Sequence, residues 1–158
     1  MLNLEYFDIE TINSITSIKI KDKYALLLQG KITLPSKDSN GNLITVIKKS
    51  NVTPTSLNPN TILTHIYCLD NSKYATIEDN VFEYYSGLKK AQILNSVNLK
   101  TIGGRAFAGC NKLELQNLPA SLETVEVGAF SGCKYININS FGDLSNAAML
   151  KFIAFGAF

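Results

Sequence analysis

The chain has 158 residues, of which 46% are hydrophobic and 18% charged, and its formal net charge is +2. That balance excludes a disordered acidic tail and a supercharged nucleic-acid binder, and it predicts a folded chain with a buried core. The 15 basic and 13 acidic residues are spread along the length, so nothing argues for nucleic acid or an anionic membrane surface.

The opening "MLNLEYFDIE" has no Lys or Arg before Lys19 and lacks the basic start and apolar run of a secretory signal. Either the protein acts inside a cell or particle, or a signal has been removed. No stretch approaches the roughly 18 apolar residues of a spanning helix. Residues 1–58 contain no copy of the repeat described below and read as strands: "SIKIK", "YALLLQ", "KITL" and "LITVIK". Between them, Asn40-Gly41 is a hairpin-turn signal. Asp38, Asn40 and Asn42 alternate as a calcium loop begins, but Leu43 stands where that loop needs Gly and Lys49 where it needs Glu, so the segment reads as a turn. The sequon at Asn51 is a single match in an Asn-rich chain and carries no weight. We expect a β-rich N-terminal cap or small domain, with "TPTSLNPN" (53–60) marking its boundary.

Residues 59–158 repeat. A β-branched residue is followed five positions later by Phe in Ile77/Phe82, Ile102/Phe107, Val125/Phe130 and Ile153/Phe158, at intervals of 25, 23 and 28 residues. Small residues crowd the approach to the ring in "GGRAF", "EVGAF" and "AFGAF", as a tight turn that throws the ring inward requires. A second signal lies between the Phe positions: apolar residues alternate in "KAQIL" (Ala91, Ile93), "KLELQ" (Leu113, Leu115) and "YININ" (Ile136, Ile138). Alternation at period two predicts a strand with one buried face. A unit of about 23 residues cannot bury its own apolar face. Stacked coils bury a continuous one, so the pattern predicts a repeat solenoid of four to five coils with a parallel sheet.

The outward strand positions form a polar grid: Lys90 and Gln92, then Lys112, Glu114 and Gln116, then Tyr135, Asn137 and Asn139. Solenoids bind along exposed sheets, so these are the candidate binding residues. Chemistry for catalysis is thin. His65 and Cys68 lie three apart, which on a strand sends the side chains to opposite faces. "GGR" (103–105) lacks the Lys and spacing of a phosphate loop. The three cysteines Cys68, Cys110 and Cys133 cannot all pair; Cys110 and Cys133 share a repeat position and are expected as buried thiols. No enzyme, cofactor or metal is expected.

"LKTIGGRAFAGCNKLELQNLPASLETVEVGAFSGC" (99–133) resembles the leucine-rich repeats of the BspA-like surface-antigen type, whose unit alternates an "L-x-x-I-x-I-P" strand with "V-x-x-I-G-x-x-A-F-x-x-C". The likeness extends more weakly over residues 63–82 and 150–158, where units lose Gly or replace the Cys, as Leu88 does. The resemblance implies leucine-rich-repeat coils and an elongated, adhesin-like or receptor-binding scaffold for a protein or glycan, on a cell surface, outside the cell or on a virion. It implies neither nucleic-acid binding nor membrane insertion. The alternative is a structural protein, for example a virion component, whose repeats pack against other subunits. The chain stops at Phe158, a core Phe, so we expect either a fragment of a longer array, its repeats incomplete at the C-terminus, or self-association or another chain covering that edge, unless "FGDLSNAA" folds over it.

Overall fold

The chain enters its first sheet through β-branched residues, which suit a pleated, half-buried surface. Strands β1 (Phe7–Ile12) and β2 (Ile15–Ile20) form an antiparallel hairpin from Phe7↔Ile20 to Ile12↔Ile15. Its two connecting residues, Asn13 and Ser14, both take left-handed φ, 50° and 65°, as tight hairpin turns require. The strands that follow are β3 (Gly30–Leu34), β4 (Ile44–Lys48), β5 (Leu63–Cys68), β6 (Thr76–Ile77), β7 (Lys90–Ala91), β8 (Thr101–Ile102), β9 (Thr124–Val125) and β10 (Phe152–Ile153). This computed structural model describes residues 4–69, 72–115, 118–136, 152–153 and 156–157.

Two sheets result, ordered β1-β2-β4-β6-β8-β9-β10 and β3-β5-β7. Apart from the β1–β2 hairpin, every pairing of these strands is parallel. From β2 to β8 the chain visits the two sheets in turn. The product is a repeat fold whose apolar residues face one shared interior.

That interior is built from ladders. In the longer sheet Ile47, Ile77, Ile102 and Val125 are aligned strand to strand and buried; Ile153 continues the register. The rings of Phe82, Phe107 and Phe130 stack behind them, with centroids 5.3 and 5.6 Å apart and interplanar angles of 28° and 8°. Phe158 lies outside the described residues. The five-residue Ile-to-Phe offset thus sets two parallel columns, one aliphatic and one aromatic.

The turns that carry the rings form a third ladder. The residue two before each Phe is left-handed: Asn80, Arg105 and Gly128, with Gly156 at the same place. Phe82 N donates to Ala106 O, Phe107 N to Ala129 O and Phe130 N to Ala157 O, each at 2.7–2.8 Å, so turn amides point toward the following coil. Strand-end amides point the other way: Glu78 N donates to Ile47 O, Gly103 N to Ile77 O and Glu126 N to Ile102 O. The repeated cysteines add a pin, since Cys110 Sγ donates to Phe82 O at 3.1 Å and Cys133 Sγ to Phe107 O at 3.2 Å. Surface ion pairs of exposed Arg105 with half-buried Glu83 (2.5 Å) and of exposed Lys100 with half-buried Glu123 (3.3 Å) also cross between coils. Such surface pairs contribute about 1 kcal/mol at most.

Residues of the first 58 share this core. β2 pairs with β4 and β4 with β6. Two buried tyrosines reach back into the segment, Tyr74 Oη donating to Pro35 O and Tyr85 Oη to Ala25 O at 3.0 Å. Sequence expectations are corrected at several points, among them "KLELQ", whose described residues form no strand and make only the bridge Glu114↔Tyr135. "YALLLQ" is not a strand: its Tyr24 closes a 3-10 turn (Asp22–Tyr24), and Leu27 and Leu28 amides both donate to Tyr24 O. Its three consecutive leucines lack alternation, and Ala25 and Leu28 are buried at helical spacing. Asn40-Gly41 does form a turn, closed by Asp38 accepting from the Asn40 and Asn42 amides, but it makes only the bridge Lys37↔Leu43. The strands on either side of it enter different sheets. "KAQIL" is a strand only at Lys90–Ala91 before a 3-10 turn (Gln92–Asn95) that buries Ile93 and Leu94.

Candidate functional site

The outer surface of β3-β5-β7 is assembled by register. Pairing sets Lys31 beside His65 and His65 beside Lys90; one step on, Thr33 lies beside Tyr67. Because Ile32, Ile66 and Ala91 turn into the core, their neighbours must face outward. The row continues past β7, where Glu114 N donates to Lys89 O at 2.9 Å and Glu114 bridges to Tyr135. Lys90, Gln92, Lys112, Glu114 and Tyr135 are all exposed, Tyr135 at 63%. Gln116, Asn137 and Asn139 lie outside the described residues.

A cleft opens on this face because β7 ends after two residues. The 3-10 turn withdraws the backbone at Gln92, while β5 runs on through Tyr67 and Cys68. Gln92 repairs the ladder with its side chain, Oε1 accepting from Cys68 N at 2.8 Å, which leaves its amide NH2 as the donating end. The space has a volume of about 530 Å³, and its polar lining comes from Tyr67, Lys90, Gln92, Asn95 and Glu114. Lys90, Gln92 and Glu114 are thus brought to one cleft; Lys112 and Tyr135 are not among its lining residues.

His65 sits at the head of the row, its ring stacked on Tyr67 with centroids 5.8 Å apart and planes 12° apart. Desolvation, with the ammonium groups of Lys31, Lys90 and Lys89, holds the imidazole below its ordinary range, and Glu114 opposes them. Cys68 turns inward, and burial raises its thiol to about 12. Thus His65 and Cys68 face apart. Among the described residues no group of three His, Cys, Asp or Glu is placed to hold a metal ion.

The other sheet carries a cleft of about 580 Å³ over β6 and β8, where Gly103 leaves a gap between Glu78 and Glu126. Its Asp79 is engaged already, Oδ1 accepting from Gly104 N at 2.7 Å. Its charges are of one sign, whereas the cleft on β5 and β7 mixes donors, acceptors and a ring. A site that orients a ligand needs such a mixture.

Residues 42–137, more than half of the chain, match the family model described as a BspA type leucine rich repeat region, in six copies. The chain belongs to the BspA-type leucine-rich repeat family. The match begins inside the 1–58 segment. No curated protein matches. Among solved structures the chain is similar to a leucine rich cell surface protein from Faecalibacterium prausnitzii A2-165, with 16% identity and a TM-score of 0.40. The likeness covers 81% of this chain and 45% of that one, so the chain spans less than half the length of that protein.

The BspA-type Cys position is now physically intelligible, because its thiol caps the carbonyl of the preceding coil's Phe. Cys110 is buried; Cys133 is only half-buried, against the expectation that both are buried. All three cysteines are free thiols. Burial raises the Cys133 thiol to about 12 and holds the Cys110 thiol well above its ordinary range. Since the thiolate is the nucleophile, native protein at neutral pH should leave all three unmodified by an aromatic disulfide reagent, and denatured protein should release three equivalents of chromophore. Fast reaction of Cys110 in the native state would show that the pin does not hold.

Sequence reasoning passed over Lys31, Tyr67 and Asn95 and weighed His65 only against Cys68, not as part of the binding face. The signal existed for two of them, since "LTHIYC" places His65 and Tyr67 either side of an inward Ile66. Nothing local marks Lys31 as their neighbour, because that pairing spans a whole coil. Asn95 enters the cleft only because a 3-10 turn replaces the expected strand.

Proposed function

We propose that this chain is a non-catalytic binding scaffold, adhesin-like or receptor-binding, that recognises a protein or glycan through the outer face of β3-β5-β7. The supporting observation is the convergence of Tyr67, Lys90, Gln92, Asn95 and Glu114 on one open cleft, while the ladders of Ile, Phe and Cys account for the residues that repeat. In this reading the chain is a solenoid whose coils fall within the roughly 20–29 residues of leucine-rich repeats. Residues 1–58 act as its cap, shielding one end of the stack. The polar surface grid, Lys112 and Tyr135 included, is the rim of the contact. Among the described residues no helix is long and apolar enough to cross a membrane; the family supports display at a cell surface, outside the cell or on a virion.

The test is a binding panel of purified extracellular-matrix proteins and immobilised glycans, read beside a light-scattering mass. Lys90→Ala, Glu114→Ala and Tyr135→Ala combined should weaken a captured ligand by about tenfold or more. The same variant should keep its unfolding midpoint within about 0.5 kcal/mol per site, because each side chain is exposed. A ligand whose affinity survives the triple change, or a closed oligomer that buries this face and binds nothing, would overturn the reading.

A further inference from the structure

The cationic row and the cleft beside it differ in what they offer a ligand, and the difference selects a chemistry. Lys31, His65 and Lys90 stand on three adjacent parallel strands, so their backbones are spaced at about 4.8 Å. The proton on the middle group is fixed by its neighbours. Thr64 Oγ1 donates to Gly30 O at 2.7 Å, which spends its only hydrogen, and His65 Nδ1 lies 2.9 Å from the same oxygen. Nδ1 must therefore carry the proton that Thr64 accepts. In the neutral ring Nε2 is then a lone pair, and it can hold an anion only after taking up a proton.

Beyond the row, the ligand meets a mixed set. Lys90 and the Gln92 NH2 donate, Glu114 accepts, Asn95 can do either, and Tyr67 presents an aromatic ring that is 37% exposed. An acidic peptide fits this set poorly. Glu114 would repel a run of carboxylates, and the β5 amide that faces the cleft, Cys68 N, is already taken by Gln92 Oε1, so a peptide strand laid there would lack that donor. A ligand that combines an anionic group with hydroxyl donors satisfies every member: the anion on the cationic row, hydroxyls on Glu114, Gln92 and Asn95, and a C–H face against the ring of Tyr67.

We propose that the β3-β5-β7 face binds an acidic saccharide, its carboxylate or sulfate seated on Lys31, His65 and Lys90, and that binding protonates His65 at Nε2. This rests on the scaffold reading above and names its ligand class. The proton comes from solvent, and no covalent bond changes.

The groups that face His65 are Lys31 on β3, Lys89 and Lys90 at β7, and Glu114 on the following coil. Of these residue types histidine is the one that ordinarily changes charge between about pH 5 and 8. Calorimetric binding of the full chain should be measured with a hyaluronan oligosaccharide, a heparin oligosaccharide, a neutral maltose oligosaccharide of matched length, and polyglutamate. At least one acidic saccharide should bind, with affinity rising about three- to tenfold between about pH 7.5 and about pH 5.5. Hyaluronan binding identifies carboxylate as the recognised group, and heparin binding alone identifies sulfate. The neutral sugar and polyglutamate should bind about tenfold more weakly or worse. His65→Gln should flatten the pH dependence, and Lys31→Gln with Lys90→Gln should cost about three- to tenfold, more at low salt. All of these side chains are on the surface, so the variants should fold, which circular dichroism will verify. Equal binding of polyglutamate, or acidic-saccharide binding that is indifferent to pH and to these lysines, overturns the proposal. If matrix proteins bind this face and acidic saccharides do not, the saccharide inference falls while the scaffold stands; if neither binds, both fall.

Discussion

Phe107→Ala should lower the stability of the chain by about 3–5 kcal/mol, the cost of truncating a large, fully packed core ring. Phe107 has no exposed surface and lies between two rings, Phe82 at 5.3 Å and Phe130 at 5.6 Å, so neither neighbour can close the void without leaving its own coil's register. Its backbone amide is also tied to Ala129 O, which holds the turn open around the missing ring. Urea unfolding checks the value, with the slope of the transition reporting whether the chain still unfolds as one unit. A midpoint equal to that of the unaltered chain would mean that the aromatic column is not a stabilising element. Phe107→Leu should recover about half the loss, because it restores apolar volume without the stacking.

Gly87→Ala should cost about 3 kcal/mol or more, by the opposite mechanism of too much matter rather than too little. A Cβ at Gly87 would lie 2.1 Å from Thr61 O and 2.4 Å from Thr61 C, backbone atoms that no side-chain rotation can move. The same junction is closed by Gly87 N donating to Asn60 O and Asn60 N donating to Tyr84 O. Relief of the clash would break these bonds. Gly41→Ala is the control: its φ is +86° and nothing lies within 4 Å, so only the left-handed strain remains, about 1–2 kcal/mol. If thermal or urea unfolding ranks Gly41→Ala as the more damaging of the two, the close approach at Thr61 is misplaced.

The junction at Gly87 also shows where sequence reasoning ran out. The Ile and Phe columns were legible because a side chain that repeats at fixed spacing must meet its own copy in the next coil, and such a contact is written in the period itself. The outward positions Lys90 and Glu114 were legible for the same reason. Asn60 was not. It is buried, its Nδ2 donates to Leu28 O and its Oδ1 accepts from the Ile62 and Leu63 amides, so the "NPN" that reads as a boundary is also a polar knot within the core. No local pattern distinguishes an asparagine that caps a solvent loop from one whose three partners converge from two segments.

The hairpin was missed for a related reason. "FDIETI" alternates as a strand should, yet Asn13-Ser14 carries no glycine, and only the finished antiparallel pairing makes two left-handed non-glycine residues acceptable. At "KAQIL" the alternation was real but too short to decide between strand and 3-10 turn, and burial of both Ile93 and Leu94 settled it. The consequence is functional, because the cleft exists only where the strand fails.

The opposed direction of the two backbone ladders has a bearing on how such a chain can change its length. Turn amides reach toward the following coil and strand-end amides toward the preceding one, so each coil offers its successor donors at the turn and acceptors along the strand. A unit inserted backwards would meet donor with donor and carbonyl with carbonyl. Tandem duplication in the same orientation meets neither obstacle, and neither does loss of a whole unit. The array can therefore be lengthened or shortened in unit steps by gene-level copying, with the flanking units left unaltered.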